Sequence, residues 1–322
     1  MAEPSKGTVV VALGANVVVA LGKLVGGALT GSAAMLSEGA HSVADTLNET
    51  FLLTALRRSG RPADARHPFG YGMERFFWSF LAAVGIFVLG AGFSVVQAYR
   101  SLTGSETVGA HYYLVSYLVL GVAFVAEGIS WLRAIRQVRT EAAAAGRGLP
   151  EHLRRSGDPS VKTVAGEDTA AIVGLLFASA GIGLHQLTGN PAWEGVASLL
   201  IAGLLVVVAI ALGRDVKGLL IGEAADPRLR RDVAEFLDEH PGVDEVVDLL
   251  TMQLGVDRVL LAARLDLADD LTSADVEALS AELDEAITQR WPEVGEVFID
   301  ATRTTERIDR VGLTDLGEIR RA

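Results

Sequence analysis

The chain has 322 residues, half of them apolar, with no cysteine and a net charge of −12. The lack of cysteine excludes disulfides and thiolate metal sites, and the acidity argues against a nucleic-acid partner. The charge is uneven: 25 acidic and 11 basic residues lie from Glu223 onward, against 15 and 17 before it.

Several apolar runs reach ~20 residues, the length needed to cross a ~30 Å hydrocarbon core. The expected fold is an α-helical membrane protein with six transmembrane helices, followed by a small α+β domain. The expected division is a membrane domain over 1–222, a soluble domain over 223–302 and a loose tail over 303–322. The six helices are expected near 8–29, 32–56, 74–99, 111–135, 160–185 and 192–212. The first is read as retained, because residues 1–6 lack a small-residue cleavage pattern.

Loop charges set the orientation. Arg57, Arg58, Arg61, Arg66 and Arg75 surround the second connection, and a further arginine-rich stretch from Arg133 to Lys162 surrounds the fourth. The first and fifth connections hold no Lys or Arg. The positive-inside rule then puts both termini and the basic loops in the cytoplasm, as in a bacterial-type inner membrane.

After Gly222 the periodicity changes. Asp226-Pro227 caps a short amphipathic helix over 228–239, and His240-Pro241-Gly242 ends it. Strands are expected over 243–254 and 258–267, a capped helix from Ser273 to near Trp291, and a third strand over 296–301. The order αββαβ suggests helices packed on one sheet.

The chemistry concentrates in the second helix. His41 and Asp45 are four residues apart, on one helix face and about 6 Å apart along its axis. An imidazole nitrogen and a carboxylate are good ligands for a divalent transition metal. At bilayer depth such a titratable pair is costly, which favours function over a polar contact between helices. Glu167 and Asp168 form a second acidic pair in the fifth helix. Adjacent residues point ~100° apart, so one of them is expected to face the site and the other a neighbouring helix or water. Asn48 and Glu49 extend the face of Asp45, and Glu38 precedes His41 by one turn. Lys23 either snorkels to the interface or pairs with a carboxylate such as Glu127. Asp64 and His67, in the second connection, have a spacing that could hold another ion, although the Pro68-Phe69-Gly70-Tyr71-Gly72 run reads equally well as a rigid turn.

These residues together resemble the cation diffusion facilitator family of divalent-metal exporters. The likeness rests on His41-Ser42-Val43-Ala44-Asp45, the run from His67 to Trp78, the Glu167-Asp168-Thr169-Ala170-Ala171 segment and the acidic tail. It is strongest to the branch with the mitochondrial zinc-transporter-like members. The resemblance implies a homodimer in a lipid bilayer that exchanges Zn2+ for H+, with a ferredoxin-like cytoplasmic domain. It implies a metal site from His41, Asp45 and Asp168. The position where the family carries a fourth ligand, a histidine, is Val164 here. Glu167 is the nearest substitute, with Asn48 or water as alternatives. Asp64 and His67 match a second family site, with Tyr71 standing where a histidine is usual. The tail's multinuclear site is expected to be missing, because Val247, Arg264 and Asp300 stand near its ligand positions. Mn2+ or Fe2+ is the alternative cargo. A membrane-anchored metal sensor is the rival from another class. An intramembrane enzyme is disfavoured by the lack of HExxH, GxSxG or a comparable set.

Overall fold

A computed structural model describes residues 6–104, 112–144, 146, 148 and 159–302. The chain divides into two compact units. One holds the chain up to Arg58 together with Arg75–Lys217; the other holds Ser59–Glu74 together with the chain from Gly218. The expected tail, 303–322, lies outside the described residues.

Helices α1 (Lys6–Thr30), α2 (Ala33–Ser59), α5 (Tyr112–Ala144), α6 (Pro159–Thr188) and α7 (Ala192–Leu220) build the first unit with one composite helix. That helix runs as α3 (Glu74–Gly85), a π-helical segment (Ile86–Ala91) and α4 (Gly92–Thr103). Four helical stretches are long and apolar enough to cross a membrane: Glu74–Thr103, Tyr112–Ala144, Gly166–Thr188 and Ala192–Leu220. The apolar stretch described in α1 is shorter, Asn16–Thr30. Glu38, His41, Asp45 and Glu49 interrupt the apolar character of α2.

Packing inside this unit relies on small residues. Ala34, Ala44, Ala83, Ala91, Ala123, Ala178 and Ala197 share the core with Leu175, Ile182, Ile201 and Leu205. Small side chains let helix backbones approach closely where lipid supplies no hydrophobic drive between them. The large apolar residues point outward instead: Val18, Val88, Leu118, Val122, Val125 and Val207 are all exposed. Such a surface suits hydrocarbon and not water.

In the second unit, α8 (Pro227–Asp238), β1 (Val243–Gly255), β2 (Arg258–Leu267), α9 (Ser273–Arg290) and β3 (Val294–Ala301) follow the expected αββαβ order. The sheet order is β1-β2-β3. β1 and β2 form an antiparallel hairpin in which Leu249 opposes Ala263. β2 and β3 run parallel, with Ala263 opposite Ile299, and α9 supplies the crossover that a parallel pair requires. Asp226 accepts from Arg228 N at 2.7 Å to cap α8. Thr272 and Asp275 form a capping box at α9, and the Thr272 donors hold the Asp275 carboxyl below the usual carboxylate range. Val233, Leu237, Leu261, Leu265, Leu283 and Ile287 make the core between helices and sheet.

The 59–74 loop belongs to this unit. Phe69 packs its ring edge-on against Phe298, centroids 6.5 Å apart. Gly72 lies so close to Leu254 O that a Cβ would overlap it, so this contact requires glycine. Within the loop, Tyr71 OH donates to Asp64 Oδ2 at 2.7 Å, and the backbone amides of Arg66 and His67 donate to Oδ1 at 2.9 and 2.8 Å. The Tyr71 bond and these amides pull the Asp64 carboxyl down to about 2, and the same bond pushes the Tyr71 hydroxyl up.

Leu283 is fully buried under the sheet, so Leu283→Ala should cost about 2–5 kcal/mol. The expected readout is faster amide exchange across β2 and α9, while α5 and α7 keep their protection. A depressed carboxyl stabilises the fold above its unfolded pKa, and that contribution disappears as pH falls through the folded value. For Asp64 the window runs from about pH 4 down to about 2. Tyr71→Phe should move the Asp64 midpoint up toward the ordinary value and narrow that window, as followed by carbon-13 titration of its carboxyl.

Candidate functional site

Four helices of the first unit enclose a cavity of about 70 Å³, room for a few waters. α1 contributes Asn16; α2 contributes Ser42, Asp45, Asn48 and Glu49; α5 contributes Glu127 and Ser130; α6 contributes Glu167 and Asp168. Five carboxylates therefore surround one small volume. Four of them lean on a nearby donor. Asn16 Nδ2 donates to Glu49 Oε1 at 2.6 Å, and the Asn48 amide donates to Glu167 Oε2. Ser130 Oγ donates to Asp168 Oδ2 at 3.2 Å, and Lys23 Nζ lies 3.4 Å from Glu127 Oε1.

Lys23 is fully buried. Besides Glu127, its ammonium meets Glu38 Oε2 at 3.2 Å and Ser42 Oγ at 2.7 Å. Lys23 therefore pairs rather than snorkelling, and a charge that would be prohibitive alone is met from α2 and α5.

His41 is 1 % exposed and sits one turn deeper than Asp45. Its Nε2 lies 3.4 Å from Asp45 Oδ1, and its Nδ1 lies 3.9 Å from Glu38 Oε1. It does not line the cavity itself. Gly174 on α6 makes room for this pair, since a Cβ there would overlap Glu38 Oε1 and lie 3.6 Å from His41 Nδ1.

Several buried polar atoms here lack a hydrogen-bond partner: Glu38 Oε1, His41 Nδ1, Asp45 Oδ1, Glu49 Oε2 and Glu167 Oε1. Carboxylate oxygens and an imidazole nitrogen of this kind form a donor set for a cation. Among the described residues, no three His, Asp or Glu side chains converge closely enough to hold a metal ion. The carboxylates would have to leave their present donors to converge.

The residues expected from sequence are distributed as follows. Asp45, Asn48, Glu167 and Asp168 line the cavity together, so both members of the acidic pair on α6 face it. His41 reaches it only through Asp45. Asp64 and His67 lie in the other unit, 3.5 Å apart at their nearest charged atoms, and Asp64 is already bonded by Tyr71. The Val164 side chain lies outside the described residues. In the acidic unit, Arg264 Nε pairs with Asp300 Oδ2 at 3.1 Å, and His240 Nδ1 accepts from Gly242 N at 3.2 Å. Asn16 and Ser130 were not anticipated. A signal existed: Asn16 is seven residues, or two turns, before Lys23, and Ser130 is three after Glu127.

The chain matches the cation efflux transmembrane domain over residues 9–221. It is 34% identical over 266 residues to a mitochondrial proton-coupled zinc antiporter of Xenopus laevis, covering 83% of this chain and 47% of the relative. It is 36% identical over 233 residues to a metal tolerance protein of Arabidopsis thaliana, covering 72% of this chain and 50% of the relative. The chain thus spans about half the length of these curated relatives. The manganese efflux system protein MneP of Bacillus subtilis is 23% identical over 301 residues, covering 92% of this chain and 95% of that protein. With its apolar helices and the acid-lined cavity between them, the chain belongs to the cation diffusion facilitator family, near the branch that contains the mitochondrial zinc antiporters.

Proposed function

We propose that the protein is a secondary transporter that exports a divalent metal, Zn2+ first among candidates, in exchange for H+ by alternating access. The observation that carries this reading is the cavity of five carboxylates inside an apolar helical unit. In this reading α1, α2, the composite third helix, α5, α6 and α7 each span the bilayer. Both termini lie in the cytoplasm of a bacterial-type inner membrane, two copies form a homodimer, and the acidic unit is a ferredoxin-like domain that assists pairing. The division at residues 222 and 302 belongs to the same reading. Asp45 and Asp168 hold the ion between α2 and α6, and His41 supplies its imidazole from one turn below. Glu167 and Asn48 complete the set once their mutual hydrogen bond opens.

Loading needs ionised carboxylates and a neutral imidazole, so metal entry releases protons, and protonation of the same groups ejects the metal. That is the exchange named for the Xenopus relative. Mn2+ is the second cargo to consider. The lining is oxygen-rich and His41 is set back from it, and oxygen donors suit Mn2+ while imidazole suits Zn2+. The manganese efflux relative fits this alternative. Asp64 and His67 are the least supported metal ligands, because Tyr71 already occupies Asp64.

Asp45→Ala and Asp168→Ala should each abolish zinc flux into proteoliposomes while the protein stays monodisperse. Normal zinc uptake by either variant would refute the site. A competition series of Zn2+, Mn2+, Fe2+, Co2+ and Cd2+ against labelled zinc ranks the cargo. If Zn2+ is the cargo, it should compete at the lowest concentration, and His41→Ala should narrow its lead over Mn2+.

A further inference from the structure

The first unit holds a second buried titratable cluster that the metal cavity does not use. Glu194 stands in the first turn of α7 and His185 in the last turn of α6, and they are 2 % and 3 % exposed. His185 Nδ1 lies 2.6 Å from Glu194 Oε1. The Tyr112 hydroxyl donates to the same oxygen, and Ser32 Oγ donates to Oε2 at 2.5 Å. The link before α2 and the ends of α5, α6 and α7 therefore meet on one carboxylate.

This junction is remote from the cavity. Ser32 precedes Asp45 by 13 residues and His185 follows Asp168 by 17, which is about 20 and 25 Å along the two helices. It lies at the end with the short connections that carry no Lys or Arg, opposite the basic ones. Among the described residues, the other titratable groups packed around the pair are few. Tyr113 sets its ring edge against His185, centroids 5.8 Å apart. α5 also brings Tyr117, bonded to Gln186 on α6 at 3.0 Å. From α4, Ser101 donates to Pro191 O at 2.9 Å, and the neighbouring Arg100 is exposed.

A polar staple between helices needs only uncharged amides and hydroxyls. An acid touching an imidazole costs more in such surroundings, but unlike amides and hydroxyls the pair can take up and give off a proton. It also controls the junction. As a carboxylate, Glu194 can accept from all three groups; once protonated, it must itself donate to one of them, and the other contacts lose the charge assistance that makes bonds to a carboxylate strong. We propose that His185 and Glu194, with Tyr112 and Ser32, form a proton-binding site separate from the metal cavity, whose protonation loosens that end of the helical unit. The inference rests on the proton-coupled reading above. It assigns part of the proton traffic to residues that never meet the metal.

The test counts protons released per Zn2+ bound, with a pH-indicator dye in weak buffer, and pairs this with zinc uptake driven by an imposed pH difference. In E194Q and H185Q the count should fall by about one and the driven rate at least tenfold. Glu194→Asp, which keeps a carboxylate, should recover most of both. A folded H185Q or E194Q with the wild-type count and wild-type pH profile would overturn the proposal. So would loss of a bound zinc equivalent in H185Q with an unchanged proton count, because that marks a metal site. If the wild-type protein releases no protons at all, proton coupling itself fails and this inference fails with it.

Discussion

The membrane unit depends on one buried cation. Lys23 is surrounded by Glu38 and Ser42 of α2 and by Glu127 of α5. Taking an ammonium out of water costs several kcal/mol unless it is paired and hydrogen-bonded. Here the pairing draws three helices together at the depth of the acidic cavity. Without that positive charge, Glu38 would be an unmatched acid beside His41, and the cavity would face one more repulsive group on α5. Lys23 thereby lets so many carboxylates coexist in an apolar interior.

The cavity works by the opposite principle. Three of its acids each hold a single uncharged donor: an asparagine amide for Glu49, another for Glu167, a serine hydroxyl for Asp168. Hydrogen bonds from a neutral donor to a carboxylate are worth about 1.5–3 kcal/mol each. In the proposed exchange a divalent ion among several oxygens displaces them, and its departure lets them re-form. The partnerless oxygens of Asp45, Glu49 and Glu167 are where such an ion gains most.

Much of this was legible in the sequence, for reasons that also mark the limits. The helices announced themselves through apolar length, and the acidic unit through its αββαβ alternation, both local signals. The His41–Asp45 spacing put both groups on one helix face. It did not reveal that His41 stands off the cavity lining, because a shared face says nothing about where the neighbouring helices leave a gap. Glu167 and Asp168 were expected to diverge, yet both line the cavity. The Ser32–Tyr112–His185–Glu194 junction escaped notice for a different reason. Its members span 162 residues and lie on four elements, and no periodicity links them. Tyr71 was read as a missing ligand, whereas the fold makes it the donor that holds Asp64.

The 59–74 loop has one further consequence. It joins two helices of the membrane unit, α2 and α3, yet it belongs to the acidic unit and packs on its sheet through Phe69 and Gly72. The chain thus passes between the two units three times instead of once. Each extra crossing closes a loop and removes freedom that a single hinge would leave. The acidic unit is consequently built from two stretches of chain, and the first begins at the end of α2, the helix that carries Asp45. Cutting the chain after α7 would do more than discard an appendage, since it would leave Phe69 and Gly72 with nothing to pack against.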